Sequence, residues 1–270
     1  MKPVIWALFD SGNGCYLQAV KAYFKEDFEI YAIGLDIEQK HHHFITLDLA
    51  DKSGLFGEEP LFQTLNQLPP PTIILASPPC ESWSNANNIK DGSIYWKRPV
   101  VRNLFGEGRT KDFALVPKRE FYQKTQNWVS RPSYTRMVLS RMNGELCAFN
   151  TMRIIKHYRP LVFVIENPAT SQLWRYYREI LNFNGMKNIA CYNDYDEAFS
   201  QKPTCFYSNL DLCLKVPQYR QALYTIGSGH KVKKRHQKMI SGYNKRSNIP
   251  LLLIKDILTA CLRKIESEEK

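Results

Sequence analysis

The sequence predicts an α/β domain built on a doubly wound, mostly parallel sheet, and three observations predict it. Short apolar runs of strand length recur from the start of the chain to residue 165. Helix-period patterns lie between several of them. Polar clusters follow the runs directly, at the carboxyl ends of strands, where such sheets bind their ligands.

Taken in order, strands are expected at residues 4–9, 30–35, 44–47, 72–76 and 161–165, each dominated by Val, Ile, Leu, Phe or Ala. Helices are expected at 16–24, 61–65 and 136–158, and an apolar helix at 250–265 closes the chain ahead of a charged tail that should fray. Two stretches break the pattern. Residues 81–132 are long, basic and aromatic, and a connection of that length is usually functional or mobile. Residues 209–245 end near the dense run HKVKKRHQK at 230–238.

Composition narrows the class. At 270 residues the chain makes one large domain, or one with a small appendage, and buries a full core. No run of about 18 apolar residues spans a bilayer, and MKPVIWALFD reads as a first strand rather than a secretory leader. The seven cysteines (15, 80, 147, 191, 205, 213 and 261) are odd in number and form no CxxC pair. That argues against a disulfide framework or zinc site and for a reducing cytoplasm. A free cysteine is ordinarily a small buried hydrophobe, so a chemical role needs its own argument. A net charge of +11 favours polyanionic partners, although many basic proteins bind no nucleic acid.

The polar clusters come next. Asp10-Ser11-Gly12-Asn13-Gly14 follows the first strand and precedes a helix, the arrangement in which glycines and a helix N-terminus cradle nucleotide-like groups. An ordinary tight turn has the same look. Asp36, at the end of the second strand, stands where ribose hydroxyls are bound in nucleotide folds, or serves as a solvated strand end. Asp48, after the third, lies where an adenine amino group is read, or caps a helix. Three such clusters in succession describe an adenosine-type pocket better than any one of them. His41, His42 and His43 read as a surface loop, since adjacent histidines on an extended chain point to opposite faces.

The fourth strand runs into Ser77-Pro78-Pro79-Cys80-Glu81-Ser82-Trp83-Ser84. Two prolines fix φ and remove two backbone donors, which mounts Cys80 rigidly at the cleft edge. The fifth strand ends at Glu166-Asn167-Pro168, placing a carboxylate beside Cys80 if the two strands are neighbours. A nucleophile and an acid on adjacent strand ends form a catalytic constellation.

SPPC with SWS, and ENP after the next apolar strand, resemble the DNA (cytosine-5) methyltransferase family, and compactness resembles its phage-type members. Gly12 and Gly14 match the family's glycine motif, Asp36 and Asp48 its cofactor-contacting acids, and Ser247-Asn248-Ile249-Pro250 its GNAVP segment. Three departures stand out: Pro168 replaces a valine, Asp10 stands where a phenylalanine is common, and Gln201-Lys202-Pro203-Thr204 is all that represents an arginine-containing segment.

The resemblance implies a Rossmann-like methyltransferase fold in which residues 1–208 form a catalytic domain carrying the insert. It also implies a small target-recognition region at 209–245, with 246–270 returning to the catalytic domain. It implies S-adenosyl-L-methionine as cofactor, contacted by Asp10, Gly12, Gly14, Asp36, Asp48, Pro78 and Asn248. Cys80 would add to cytosine carbon 6 while Glu166 holds a proton on ring nitrogen 3, and Asn167 would orient the Pro-Pro-Cys loop.

The target base must leave the stack. Lys97, Arg98, Arg102, Lys202, Lys233, Lys234 and Arg235 are the candidate DNA contacts, with Trp83, Tyr95 or Trp96 filling the vacated stack or closing over the pocket. The expected partner is double-stranded DNA, with no metal, no membrane and a monomeric chain in a prokaryotic or phage-infected cytoplasm. Two alternatives are the same chemistry on transfer RNA and a non-catalytic nucleic-acid-binding protein. An amino-directed methyltransferase fits less well, because those enzymes resemble SPPY or DPPY where this chain has the thiol.

Overall fold

The apolar runs become strands of one sheet in a computed structural model, which describes residues 2–11, 14–35, 43–57, 59–83, 96–97, 100–103, 106–109, 113–115, 134–226, 238–240 and 247–269. In chain order the elements are β1 (Val4–Leu8), α1 (Cys15–Tyr23), β2 (Glu29–Gly34), β3 (Phe44–Thr46), α2 (Pro60–Leu65) and β4 (Ile73–Ala76). Within the insert lie β5 (Trp96–Lys97), β6 (Val100–Asn103), β7 (Gly106–Arg109) and β8 (Ala114–Leu115). Then follow α3 (Tyr134–Tyr158), β9 (Val162–Pro168), β10 (Met186–Cys191), β11 (Pro203–Ser208), β12 (Tyr224–Ile226), β13 (Lys238–Ile240) and α4 (Leu251–Glu268).

Seven strands make the main sheet, in the order β10-β11-β9-β4-β1-β2-β3. The pairs β1–β2, β2–β3, β1–β4 and β4–β9 are parallel, while β11 runs antiparallel to both its neighbours. This is the Rossmann-like, doubly wound, mostly parallel sheet expected from the sequence. The chain moves outward from β1 to β3, then returns to β4 on the other side of β1. That reversal opens a crevice beyond the carboxyl ends of β1 and β4, where ligands of open α/β sheets bind.

The strands read as continuous apolar runs because both sheet faces are covered. Every residue of β1 is buried, and successive side chains point to opposite faces. Ile5 and Ala7 join Leu17, Val20, Leu253 and Ile257 under α1 and α4. Val4, Trp6 and Leu8 join Leu61, Leu65, Ala148 and Met152 under α2 and α3.

Three differences from the expectation have physical causes. Strand β9 continues through Glu166, Asn167 and Pro168 because β11 pairs with them, Phe206 opposite Glu166 and Thr204 opposite Pro168. Strands β10 and β11 give no sequence signal, since MKNIAC and PTCFYS contain no long apolar run. The tail expected to fray is helical as far as Glu268, which pairs with Lys264 one turn earlier. In the second irregular stretch, the described residues near 212 lie against the main core, with Leu212 buried in it.

Candidate active site

Register brings the two chemical motifs together. Ala76 at the end of β4 pairs with Ile165 of β9, so Ser77 to Cys80 leave the sheet alongside Glu166 and Asn167. The prolines contribute no backbone donors to this loop, and its ties come from elsewhere. Ser77 N–H donates to the Leu8 carbonyl (3.3 Å), and the Tyr16 hydroxyl lies 2.9 Å from Ser77 Oγ. Buried Asn167 donates from Nδ2 to the Pro78 carbonyl (2.9 Å). Trp83 N–H closes a turn onto the Cys80 carbonyl (3.0 Å), and Ser82 Oγ donates to the Ser140 carbonyl of α3 (2.7 Å). Cys80 therefore sits on a loop fixed from α1, α3 and β9.

The Glu166 carboxylate is only 8% exposed. Its Oε1 accepts from the Tyr192 hydroxyl (3.1 Å) and lies 3.8 Å from Lys202 Nζ, which also rests 4.8 Å above the Tyr192 ring. Burial pushes the Cys80 thiol above its ordinary range, and the nearby Glu166 charge pushes it the same way, while Lys202 pulls it down. Burial likewise raises the Tyr192 phenol well above its usual range, with Glu166 the next cause. Cys15, at the start of α1, is pushed up to about 12 by burial, with the Ile249 backbone, Asp10 and Glu166 also acting on it.

At the β1 end, Phe9 adopts φ 65°, an uncommon conformation for a residue with a side chain, and turns the chain so that Asp10 N–H reaches the Ile33 carbonyl (3.2 Å). Asp10 is 6% exposed, and its Oδ1 accepts from Gly14 N–H (3.3 Å) just ahead of α1. A Cβ on Gly14 would come 2.3 Å from Asp10 Oδ2, and one on Gly34 2.4 Å from the Asp10 carbonyl oxygen. Both glycines therefore permit close backbone approach, and together they shape a cradle beside the crevice. The cradle, a buried carboxylate and a helix N-terminus fit the polar groups of an adenosine-type cofactor.

The remaining expected contacts divide. Asp48 is exposed, and its Oδ1 accepts from Ala50 N–H (2.8 Å) in a local turn. Pro78 is buried in the Cys80 loop. Asn248 is exposed, next to Ile249, whose backbone meets the Cys15 thiol at the start of α1. Lys202, expected among the DNA contacts, has its ammonium beside Glu166. Lys97 and Arg102 lie on β5 and β6. Gly12, Asp36, Arg98, Lys233, Lys234 and Arg235 lie outside the described residues, as do Tyr95, His41 and His42. His43 stacks on Tyr31 and sits 3.7 Å from Glu29.

Trp83 and Trp96 serve packing in this structure rather than the vacated base stack. Trp83 is fully buried against Tyr176, and Trp96 packs on Phe113 and Tyr176 while donating to Glu145 (2.8 Å). Sequence reasoning missed Tyr16, Gly34 and Tyr192. Among the described residues no group of three or more His, Cys, Asp or Glu comes together to hold a metal, and no helix is long and apolar enough to cross a membrane.

No family model matches the chain, and no curated protein does. Among solved structures it is similar to a putative DNA modification methyltransferase encoded within an E. coli prophage, at 14% identity and TM-score 0.37, covering 77% of this chain and 46% of that one. It is also similar to the Entamoeba histolytica methyltransferase EhMeth, at 12% identity and TM-score 0.39, covering 85% of this chain and 62% of that one. The chain thus spans less than two thirds of either structure's length.

Proposed function

We propose that this chain is an S-adenosyl-L-methionine-dependent DNA (cytosine-5)-methyltransferase that works through a covalent adduct at Cys80. The observation that supports this most is the pairing of Ala76 with Ile165, by which the Cys80 loop and Glu166 follow from neighbouring strands, together with the electrostatic influence of Glu166 on the Cys80 thiol. Asp10 and Gly14 would hold the cofactor, together with Asp36 and Asp48. When bound, S-adenosyl-L-methionine supplies an electrophilic methyl group.

Cytosine carbon 5 is too poor a nucleophile to take that group unaided, and this chain's residues change that. Cys80 gives its proton to water, and its sulfur bonds to carbon 6 as the carbon 5–carbon 6 double bond opens. Glu166 shares a proton with ring nitrogen 3, so the electron pair released by addition is accommodated in the ring and becomes available at carbon 5. After carbon 5 has been methylated it gives its proton to water, the pair from that C–H bond re-forms the carbon 5–carbon 6 double bond, and the Cys80 sulfur departs with its bonding pair. Burial and the Glu166 charge disfavour the Cys80 thiolate, and Lys202 favours it.

A base inside a duplex hides carbon 6, so the nucleotide must be extruded at a cost of a few kcal/mol. Phosphate contacts from Lys97, Arg98 and Arg102 in the insert and from Lys233, Lys234 and Arg235 in the 209–245 region offset this. In the same scheme, Lys202 acts at the base rather than on phosphate.

The test uses labelled cofactor with duplex DNA or transfer RNA. Incorporation into DNA is expected, with duplex containing 5-fluorocytosine becoming covalently trapped because fluorine cannot leave as the proton does. Cys80→Ser should abolish both while cofactor binding persists. Incorporation into transfer RNA alone would move the substrate to RNA, and undiminished methylation by Cys80→Ser would remove Cys80 from the mechanism. A protein that binds DNA but never the cofactor would be a non-catalytic binder.

A further inference from the structure

Building on the cytosine-directed function proposed above, we infer that Tyr192, with Lys202, is a positioning residue that fixes which oxygen of Glu166 meets the substrate. One hydrogen bond and one ion pair converge on one atom. The Tyr192 hydroxyl donates to Oε1 at 3.1 Å, and Lys202 Nζ lies 3.8 Å from the same Oε1. Among the described residues no hydrogen bond or ion pair reaches Oε2. A carboxyl group that shares a proton with a ring nitrogen needs one oxygen presented in a fixed direction, since a group free to rotate offers its proton in the wrong geometry part of the time. The Tyr192 hydrogen bond and the Lys202 charge at Oε1 leave Oε2 as the oxygen presented to the base.

Tyr192 and Lys202 are themselves held. Tyr192 is buried, its ring meeting Phe199 edge-on on one side and Lys202 on the other. They stand at opposite ends of the connection between β10 and β11, and Tyr192 N–H reaches the Lys202 carbonyl (3.4 Å). A strap of chain from the following segment ties that connection down. Lys215 N–H donates to the Tyr195 hydroxyl (2.9 Å) and Gln218 N–H to Asp194 Oδ2 (2.8 Å). In return Asn193 Nδ2 donates to the Arg220 carbonyl (2.9 Å) and Gln201 Nε2 to the Tyr219 carbonyl (3.0 Å). This is the supporting shell that a preorganised acid requires.

A buried tyrosine also packs, so the test must separate packing from positioning. Single-turnover trapping of 5-fluorocytosine duplex is measured for the full chain, Tyr192→Phe, Glu166→Gln and the double variant. Tyr192→Phe keeps the ring and should bind duplex and melt as the parent does. It should slow trapping about tenfold, the scale of one hydrogen bond to a charged group. In the Glu166→Gln background the same change should cost less than about twofold, because the group through which Tyr192 acts is already altered. Lys202→Met should show the same dependence on Glu166 and serves if Tyr192→Phe folds poorly. Equal losses in both backgrounds, or no loss in either, would overturn the inference while leaving the proposed function intact. If the parent chain traps nothing, the cytosine chemistry and this inference fall together.

Discussion

Replacing Asn167 with alanine tests how Cys80 is held. The side chain is fully buried, and its Nδ2 donates to the carbonyl of buried Pro78 at 2.9 Å. Removing the donor strands that carbonyl away from water, at a cost of about 1–3 kcal/mol. The loss should fall toward the lower end, because Asn167 Oδ1 is buried without a partner among the described residues and its removal relieves a desolvated acceptor. The loop should stay folded, since the ties to Leu8, Tyr16 and Ser140 do not involve Asn167. Its sulfur, two residues beyond Pro78, should lose its placement, and an error of about 1 Å at a reacting atom can cost about a hundredfold in rate. Urea unfolding gives the first quantity and single-turnover trapping of 5-fluorocytosine duplex the second. A variant that loses stability yet traps within about twofold of the parent rate would refute the claim that this hydrogen bond positions Cys80.

The other predictions concern the cradle, the thiol and the alkaline limit. Gly34→Ala puts a Cβ 2.4 Å from the Asp10 carbonyl oxygen, a backbone atom that cannot swing away. It should cost about 1–3 kcal/mol in urea unfolding and weaken cofactor binding in calorimetry. Because burial and Glu166 raise the Cys80 thiol and Lys202 opposes them, Lys202→Met should shift the pH dependence of Cys80 alkylation, followed by peptide mass spectrometry, to higher pH. Burial raises Cys147, Cys205 and Cys261 from 9.0 to about 12. Between those values the unfolded chain loses these protons and the folded chain keeps them, so folding stability should fall as pH rises through that window. Cys261→Ala should flatten the fall, as read from urea midpoints across the range.

What could be read from the sequence was whatever burial on both faces makes periodic. The first four strands begin and end close to their expected limits, and β9 begins close to its own, because strands covered by helices on each side read as apolar runs. The SPPC and ENP motifs were visible because their residue types are chemically unusual in those places. Tyr192 and Tyr16 were not, since a tyrosine in sequence gives no hint of the acid or serine its hydroxyl will find. Gly34 was hidden for a similar reason: its need arises from Asp10, twenty-four positions earlier, and only the β1–β2 pairing brings the two together. Trp83 erred the other way. It was expected to fill the vacated stack or close over the pocket, but Tyr176 and the Gln172 N–H to Trp83 carbonyl bond (3.0 Å) draw it into the core.

The reversed strand β11 has a consequence for how such a site can diversify. In a purely parallel sheet, each strand hands its chain to a crossover that leaves the reactive edge for the far side of the molecule. Here β10 ends and β11 begins at the same edge, so the eleven residues from 192 to 202 travel along it without a crossover. Both ends of that excursion are clamped by ladder hydrogen bonds, which makes it a place where side chains can be exchanged while the scaffold keeps its shape.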